Sequence, residues 1–259
     1  KPLGLQYLNY LNDLMPISVH NHADSASYFF LAPDKYAPYL TLASFSSHSV
    51  VLKAPYLRRS YQSKRKVSEI IATAFPQTAI LAFVAMSFAL LVGILLGVLS
   101  ALYKDTWIDR LALVVSTLGM SLPSFFAAIL IAWLFAYVLA DFTHLNMFGN
   151  LYAVDDYGCG EYLSLKNLIL PALTLGIRPL ATLTQLSKNS MLEALSQDYI
   201  RTARAKGLPY RRVVFHHALR NALNPIVTSA SGWLAGLLAG AVFVEYVFDW
   251  KGMGVVIVD

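Results

Sequence analysis

Long apolar runs alternate with short polar segments over residues 67–259 of this chain. A run of about 20 apolar residues is long enough to cross the 30 Å hydrocarbon core of a bilayer as a helix. This criterion predicts membrane spans at about residues 70–102, 111–140, 163–195 and 222–247. Pro123 lies inside the second span, and Pro171 and Pro179 lie inside the third. Each proline is expected to kink or interrupt its helix because it removes a backbone hydrogen bond.

Residues 1–66 follow a different pattern and are predicted to form a segment distinct from the membrane domain, residues 67–259. Apolar side chains recur at helical intervals between Lys1 and Met15, which predicts a short amphipathic helix. Residues 16–56 are polar, aromatic and dotted with prolines. Within them, the run Thr41 to Leu52 is expected to form one or two strands.

Composition indicates a membrane protein. The chain has 259 residues, of which 57% are hydrophobic and only 14% are charged, against about 25% charged in a typical soluble domain. Membrane lipid is therefore the expected surrounding of the apolar spans. The net charge of +5 is concentrated in residues 58–66 and 197–220. Nucleic acid is not expected as a partner because the rest of the chain is apolar.

The sequence carries no recognised motif for catalysis, cofactors or metals. No glycine-rich loop ends in Lys-Ser or Lys-Thr, so the chain is not expected to bind ATP, and no cofactor is assigned. Cys159 is the single cysteine and can form no internal disulfide. His20, His22 and His48 lack the close spacing to Cys, His or Asp that a metal site requires, so no metal ligand is predicted. Paired aspartates or a Ser with a His are not found inside the spans, so an intramembrane enzyme is not expected.

The distribution of Lys and Arg predicts which loops face the cytoplasm. Residues 141–162 include acidic side chains and no Lys or Arg, whereas residues 197–220 are strongly basic and residues 103–110 include Lys104 and Arg110. Cytoplasmic loops carry an excess of Lys and Arg. Segments 103–110 and 197–220 are therefore expected inside and segment 141–162 outside, as in a multi-pass protein of the cytoplasmic membrane.

The segment Gln197 to Pro225 is the most strongly charged part of the membrane domain. Tyr199 to Lys206 is rich in good helix formers. Gly207 follows, where a residue with positive φ ends many helices, and Pro209 stands where a second helix can begin. The pattern predicts two short helices joined at Gly207 in an aqueous loop that binds a partner. A plain basic loop that only sets topology explains the charge equally well.

Arg178 and two sets of glycines are further candidates inside the spans. An intramembrane Arg usually faces a bundle interior or a watery cavity. Arg178 therefore either lines a solute path with Gln185, near a carboxylate of the solute, or pairs with a neighbouring carbonyl or carboxylate. Small residues four apart permit close helix packing, and these are Gly93, Gly97, Gly232, Gly236 and Gly240. The last three would meet either a partner chain or a helix of this chain.

The basic segment resembles the cytoplasmic coupling loop of binding-protein-dependent ABC importer permeases, in the dipeptide, oligopeptide and nickel branch. The likeness is carried by Asp198-Tyr199-Ile200-Arg201-Thr202-Ala203-Arg204-Ala205-Lys206-Gly207, then by His217-Ala218-Leu219-Arg220-Asn221-Ala222 and Pro225. The wider family has Glu-Ala-Ala where this chain has Arg201-Thr202-Ala203, a departure that fits the peptide and nickel branch. The likeness extends from about Val67 to Gly254.

The resemblance implies an all-α membrane protein, a helical bundle of the MetI-like type, with residues 1–66 as an extracytoplasmic segment and the family's first and last helices absent from this stretch. It implies a permease subunit that moves peptides, or nickel and related solutes. The implied partners are two ATP-binding subunits that hydrolyse the ATP, a second permease subunit, usually a different chain, and an extracytoplasmic solute-binding protein.

The resemblance also assigns roles to individual residues. Those expected to dock an ATP-binding subunit are Tyr199, Arg201, Ala203, Arg204, Ala205, Lys206, Gly207, Arg211 and Arg212. Pro123, in Leu122-Pro123-Ser124-Phe125, would lie near the translocation path or act only as a structural kink. The alternative function is a secondary transporter or channel driven by an ion gradient, which the prolines and an intramembrane Arg also suit.

Overall fold

A computed structural model describes residues 2–24, 27, 29–36, 38–154, 160–239 and 241–258 of the chain. The chain divides into two units, Lys1–Thr73 and Ala74–Asp259, with the boundary inside one long helix. The boundary expected from the sequence, after residue 66, lies just ahead of this one. Each unit has its own set of buried residues and is described by itself.

The N-terminal unit combines short helices with an antiparallel sheet. Its elements are α1 (Leu3–Leu14), β1 (Ile17–Asn21), α2 (Pro33–Tyr36), β2 (Tyr39–Ser44) and β3 (His48–Lys53). The strand order is β1-β3-β2, and Leu52 of β3 lies opposite Ile17 on one side and Leu40 on the other. The predicted amphipathic helix is confirmed as α1. The predicted strands within Thr41 to Leu52 are confirmed as part of a hairpin.

Buried polar groups connect α1 to the sheet. The Asp13 carboxylate accepts hydrogen bonds from the Tyr36 hydroxyl at 2.6 Å and from Arg58 Nε at 3.0 Å. Lys53 Nζ donates to the Asp13 carbonyl at 2.7 Å. Burial raises the pKa of Tyr36 and lowers that of Lys53, because burial disfavours the charged form of each group. The charged side chains of Asp13 and Lys53 are therefore part of the core of the unit, where each has a partner.

His20 makes the stability of this unit dependent on pH. Its ring is fully buried and lies 3.0 Å from the Ser18 hydroxyl and 3.2 Å from the Phe29 carbonyl oxygen. Burial, and then the positive charge of Lys53, lowers the pKa of His20 below its ordinary value of 6.5. As the pH falls below that value, the unfolded chain takes up a proton before the folded chain does. Stability is therefore fully present above about pH 6.5 and declines as the pH falls further.

We expect amide hydrogen exchange in β1 and β3, corrected for the intrinsic rate, to quicken between about pH 7.5 and about pH 5.5. Replacing His20 by Gln should remove most of this dependence because the group that titrates is gone. His48→Gln is the matched control, since His48 is exposed on β3. An unchanged pH dependence in His20→Gln would contradict the assignment.

The membrane unit is built from helices joined by short turns. They are α3 (Val67–Leu102, which begins in the N-terminal unit), α4 (Trp107–Ser121), α5 (Ser124–Trp133), α6 (Ala140–Thr143), α7 (Lys166–Ser196), α8 (Asp198–Ala205), α9 (Tyr210–Arg212), α10 (Leu219–Ala239), α11 (Val242–Phe248) and α12 (Met253–Val258). π-helical segments follow α5 at Leu134–Val138 and α9 at Val213–Ala218. Strands β4 (Tyr152–Val154) and β5 (Glu161–Leu163) pair antiparallel. The chain is mostly helical but not all-α as predicted, because both units also contain strands.

Three helical runs in the described residues are long and apolar enough to cross a membrane: Val67–Leu102, Lys166–Ser196 and Tyr210–Ala239. They correspond to the first, third and fourth predicted spans. The interruption predicted within the third span does not occur, because α7 is continuous through Pro171 and Pro179. It is the most deeply buried of the three runs, and neighbouring helices can compensate for the hydrogen bonds that prolines remove.

The second predicted span, residues 111–140, is not a single kinked helix. α4 and α5 meet at Leu122 and Pro123 with a bend of 113°, as in a broken span or a re-entrant loop. Pro123 has no N–H to continue the helix, and its ring disfavours the helical conformation for the preceding residue. Leu122 accordingly is extended, with φ −75° and ψ 130°.

The fourth predicted span, residues 222–247, is wrong at both ends. The helical run begins at Tyr210, so the basic residues Arg211 and Arg212 belong to the same continuous helix as the apolar residues of the span. α10 ends at Ala239 and α11 is a separate helix. The run of 30 residues is about 45 Å long at 1.5 Å per residue. Since this exceeds a 30 Å core, its basic first turns can lie outside the hydrocarbon while the remainder spans it.

Candidate functional site

The basic segment folds as a helix, a sharp turn and the start of a second helix. Gly207 follows α8 with φ of +73°, and its N–H donates to the Arg204 carbonyl at 2.9 Å. Pro209 is the N-cap residue of α9. The predicted helix end at Gly207 and helix start at Pro209 are confirmed. The second helix is not short, because α9 continues through a π-helical segment into α10.

One face of α8 is buried against the end of α7 and the π-helical segment Val213–Ala218, in an apolar cluster that also includes the end of α3. Ile200 and Ala203 are 1% and 6% exposed and belong to an apolar cluster. The other buried members of this cluster are Val98, Ala101, Met191, Ala194, Val213, Val214, Ala218 and Ala222. Apolar packing therefore joins α8 to α7, to the π-helical segment and to the end of α3 in one cluster.

The opposite face of the segment is exposed and basic. Eight of the nine residues predicted to dock a partner are exposed: Tyr199, Arg201, Arg204, Ala205, Lys206, Gly207, Arg211 and Arg212. The Arg204 guanidinium lies 5.5 Å from the centre of the Tyr210 ring, and Arg201 pairs with Asp198 at 3.4 Å. Ala203 is the exception among the residues predicted to dock a partner. Its side chain is buried in the apolar cluster formed with the chain's own helices.

A buried ion pair that the sequence did not reveal connects α4 to α7. Lys188 Nζ lies 2.5 Å from Asp109 Oδ1, and the two side chains are 18% and 8% exposed. The Ser100 hydroxyl of α3 donates to the same carboxylate oxygen, and the Asp105 N–H donates to Oδ2 at 3.1 Å. Lys188 lies within a predicted apolar span and Asp109 lies in the first turn of α4, and a base inside a span is a signal of pairing. The sequence does not show that these two face each other, because 79 positions separate them.

A second buried carboxylate holds the turn between α11 and α12 against α3. Glu245 is fully buried and accepts hydrogen bonds from the Thr78 hydroxyl and from the Gly254 N–H, each at 2.6 Å. The Thr78 oxygen in turn accepts the Met253 N–H at 2.8 Å. A Cβ on Gly252 would overlap the carboxylate of Glu245. Both carboxylate oxygens have partners, so this network is structural.

Two of the predicted glycine contacts lie where α3 meets α7. A Cβ on Gly93 would come within 3.1 Å of a carbonyl oxygen of α7, and one on Gly97 within 2.5 Å of another. The backbones therefore approach more closely than larger residues would permit. A Cβ on Gly232 or Gly236 would meet nothing within 4 Å, so these two do not pack on a helix of the described chain. Gly240 lies outside the described residues.

Arg178 lines a cavity of about 320 Å³ between α5, α7, α10 and α11. Ser124, Trp233 and Phe243 form part of its walls. The guanidinium of Arg178 makes no hydrogen bond or ion pair with any residue in the described ranges. Pairing with a neighbour, one of the two explanations for this Arg, is therefore not observed.

Gln185 lies elsewhere. It lines a separate cavity of about 210 Å³ beside Ser100 and Lys188. Pro123 is exposed and directly precedes Ser124 in the wall of the first cavity. The residues predicted along a translocation path are therefore not brought into one cavity within this chain.

Comparison with known proteins identifies the class. Residues 93–259 match the protein family described as the binding-protein-dependent transport system inner membrane component. This match covers more than half of the chain, and the chain belongs to that family. The resemblance found in the basic segment and the predicted multi-pass location in the inner membrane are confirmed.

Three curated relatives are named as permeases for dipeptides or glutathione. The dipeptide transport system permease protein DppB of Haemophilus influenzae is 39% identical over 77% of this chain and 64% of its own length. The probable D,D-dipeptide transport system permease protein DdpB of Escherichia coli is 39% identical over 76% and 62%. The glutathione transport system permease protein GsiC of Salmonella typhimurium is 36% identical over 77% and 60%. The chain thus spans less than two thirds of the length of these relatives.

A solved structure supports the fold. The inward-facing MetNI methionine ABC transporter matches with a TM-score of 0.55 at 16% identity, over 73% of this chain and 79% of that chain. At this identity the similarity concerns the fold alone. The predicted MetI-like helical fold is confirmed, while the extracytoplasmic position of the N-terminal segment stays a prediction.

Proposed function

We propose that this chain is the permease subunit of an ATP-driven importer of peptides across the inner membrane. α8 and the start of α9 would dock an ATP-hydrolysing partner subunit. The observation that carries the proposal is the two-sided character of α8. Its basic face is exposed, while Ile200 and Ala203 are buried in an apolar cluster with residues of α3, α7 and the π-helical segment Val213–Ala218. A loop that only sets topology needs the charge but does not need the buried apolar face.

In the proposed mechanism, closure of two partner subunits on ATP displaces α8 as a rigid lever. The displacement reaches the membrane helices because α8 shares its apolar cluster with α3 and α7. Arg204, Arg211 and Arg212 present charge to a cleft on the partner, and Gly207 sets the sharp turn between the two helices. ATP hydrolysis belongs to the partner subunits.

Further partners and the orientation belong to the same proposal. A second permease subunit, a different chain, completes the pathway, and an extracytoplasmic protein delivers the solute. Residues 141–162 face outward and residues 103–110 and 197–220 face inward, in accord with the distribution of Lys and Arg. Residues 1–66 are placed outward on the family resemblance alone, since their basic run at residues 58–66 does not follow that distribution. Relatives named for dipeptide and glutathione transport support peptides as the solute class.

Replacing Gly207 by Val is expected to uncouple ATP hydrolysis from uptake. The φ of +73° is unfavourable for a residue with a Cβ by roughly 1–2 kcal/mol, and β-branching adds to that strain, so the turn must rearrange. ATP-dependent peptide uptake into proteoliposomes containing the complete transporter should fall about tenfold, as expected for some 1.4 kcal/mol. ATP binding by the partner subunits should persist.

The matched control is Gly4→Val in α1. A Cβ there also meets open space, and Gly4 does not have a left-handed φ. Normal coupled uptake in Gly207→Val would count against docking through this turn. Uptake driven by an ion gradient without any ATP-hydrolysing subunit would instead support a secondary transporter or channel.

A further inference from the structure

We propose that the cavity beside Arg178 binds a carboxylate group of the transported solute. This inference rests on the proposed importer function and adds the chemical group that is recognised inside the membrane domain. It is carried by two features that line the same cavity, an unpaired guanidinium and an uncapped helix N-terminus.

The first feature is the charge of Arg178. The guanidinium has no partner in the described residues, and Asp and Glu are absent from the described residues that line the cavity. A guanidinium offers five N–H donors and no acceptor, and its planar fork matches a carboxylate. An intramembrane Arg without a protein partner needs water or an external anion to offset the cost of its charge.

The second feature is the start of α5, which the bend at Pro123 creates. Ser124 is the first residue of α5 and lines the cavity, and Pro123 at the N-cap position provides no side-chain hydrogen bond. The first N–H groups of a helix have no intrahelical acceptor and carry partial positive charge, which favours a bound anion. Broken membrane helices present such N-termini to anionic groups of their substrates in several transporters.

The position of Arg178 along α7 favours a solute over a lipid headgroup. Arg178 is twelve residues from Lys166 and eighteen from Ser196, which corresponds to about 18 Å and about 27 Å along the helix axis. The side chain therefore starts well inside a helix that is long enough to cross a 30 Å core. A lipid phosphate at either membrane surface lies farther from it than a solute that enters the cavity.

The walls suit a molecule that is part apolar and part anionic. Trp233, Leu237 and Phe243 supply apolar surface beside the Arg178 guanidinium and the start of α5. The volume of about 320 Å³ is at the lower end of the range of small-molecule pockets. One end of a short peptide, with its terminal carboxylate and one side chain, has this combination of properties.

The test compares a peptide with a free C-terminal carboxylate and the same peptide with a C-terminal amide. Uptake of each is measured in proteoliposomes with the complete transporter, for the parent protein, Arg178→Met and Arg178→Lys. The extracytoplasmic binding protein is the same throughout, so a change in the carboxylate-to-amide ratio between variants arises in the permease. Lys66→Gln, which removes an exposed 4.0 Å ion pair with Glu69, serves as the control.

We expect Arg178→Met to lower uptake of the free-carboxylate peptide about tenfold or more, because the charge-assisted hydrogen bonds from the guanidinium to the carboxylate are lost. Uptake of the amide should change little. Arg178→Lys should have a carboxylate-to-amide uptake ratio between those of Arg178→Met and the parent protein. Equal losses for both peptides would overturn carboxylate binding and indicate a structural or lipid-anchoring role. Absence of ATP-dependent uptake of either peptide by the parent transporter would instead count against the importer function itself.

Discussion

Replacing Lys188 by Met is expected to destabilise the membrane unit by about 3–5 kcal/mol. Asp109 is 8% exposed and would remain buried without its positive partner. The Ser100 hydroxyl and the Asp105 N–H would still donate to it, but neither neutralises a charge. The measurement is the free energy of unfolding of the full-length protein in detergent–lipid micelles, from a titration with a denaturing detergent.

Two further variants separate the ion pair from simple loss of a side chain. Asp109→Leu combined with Lys188→Met should be less destabilising than Lys188→Met alone, because a buried pair replaced by apolar residues leaves no isolated charge. Lys66→Met should change the free energy of unfolding by less than about 1 kcal/mol, since its ion pair with Glu69 is exposed. A Lys188→Met variant as stable as the parent would mean that Asp109 does not depend on this partner.

The pair is placed where it can affect coupling as well as stability. Lys188 precedes Asp198, the first residue of α8, by ten positions on the same continuous helix and turn. Asp109 lies in the first turns of α4, which leads to the bend at Pro123. The pair therefore connects the helix that carries α8 to the bent pair α4 and α5.

Local signals along the chain correctly predicted much of the fold. Apolar run length identified α3 and α7 because a membrane span needs a fixed number of apolar residues. Gly207 and Pro209 marked a helix end and a helix start because their backbone preferences act within a few residues. The amphipathic spacing at α1 worked for the same reason.

Properties that depend on distant contacts were not predicted. The same residue type gave opposite outcomes at Pro123, where α4 and α5 separate at 113°, and at Pro179, where α7 continues. The difference lies in the packing: α7 is deeply buried among other helices, and the chain around Leu122 is not. The partnership of Asp109 with Lys188 likewise requires the packing of α4 on α7 to be known.

In the candidate site, too, local properties could be predicted from the sequence and packing contacts could not. The exposed basic residues of α8 follow from charge alone, because a desolvated cation is costly. The burial of Ala203 does not follow from the sequence, because alanine is suited both to a docking surface and to a core. The apolar pair Ile200 and Ala203, three residues apart, was the available sign that one face of α8 packs inward.

Replacing Gly97 by Leu is expected to disrupt the contact between α3 and α7, with a destabilisation of about 3 kcal/mol or more. A Cβ on Gly97 would overlap the Cβ of Ser187 and lie 2.5 Å from the carbonyl oxygen of Thr184. That oxygen belongs to the backbone of a continuous helix and cannot move by a change of rotamer. The helices would have to separate, and the Ser100 hydroxyl of α3 would be drawn away from the Asp109–Lys188 pair that joins α4 to α7.

The matched control is Gly232→Leu on α10, where a Cβ meets nothing within 4 Å. This change should leave the free energy of unfolding of the chain unaltered or slightly raised, because leucine favours the helix by up to about 1 kcal/mol over glycine. Equal destabilisation by both changes would contradict a specific role for Gly97. A further outcome is that Gly232→Leu keeps the chain folded but prevents its copurification with a second permease subunit. That result would mean that the glycines of α10, which pack on no helix of the described chain, contact the second subunit.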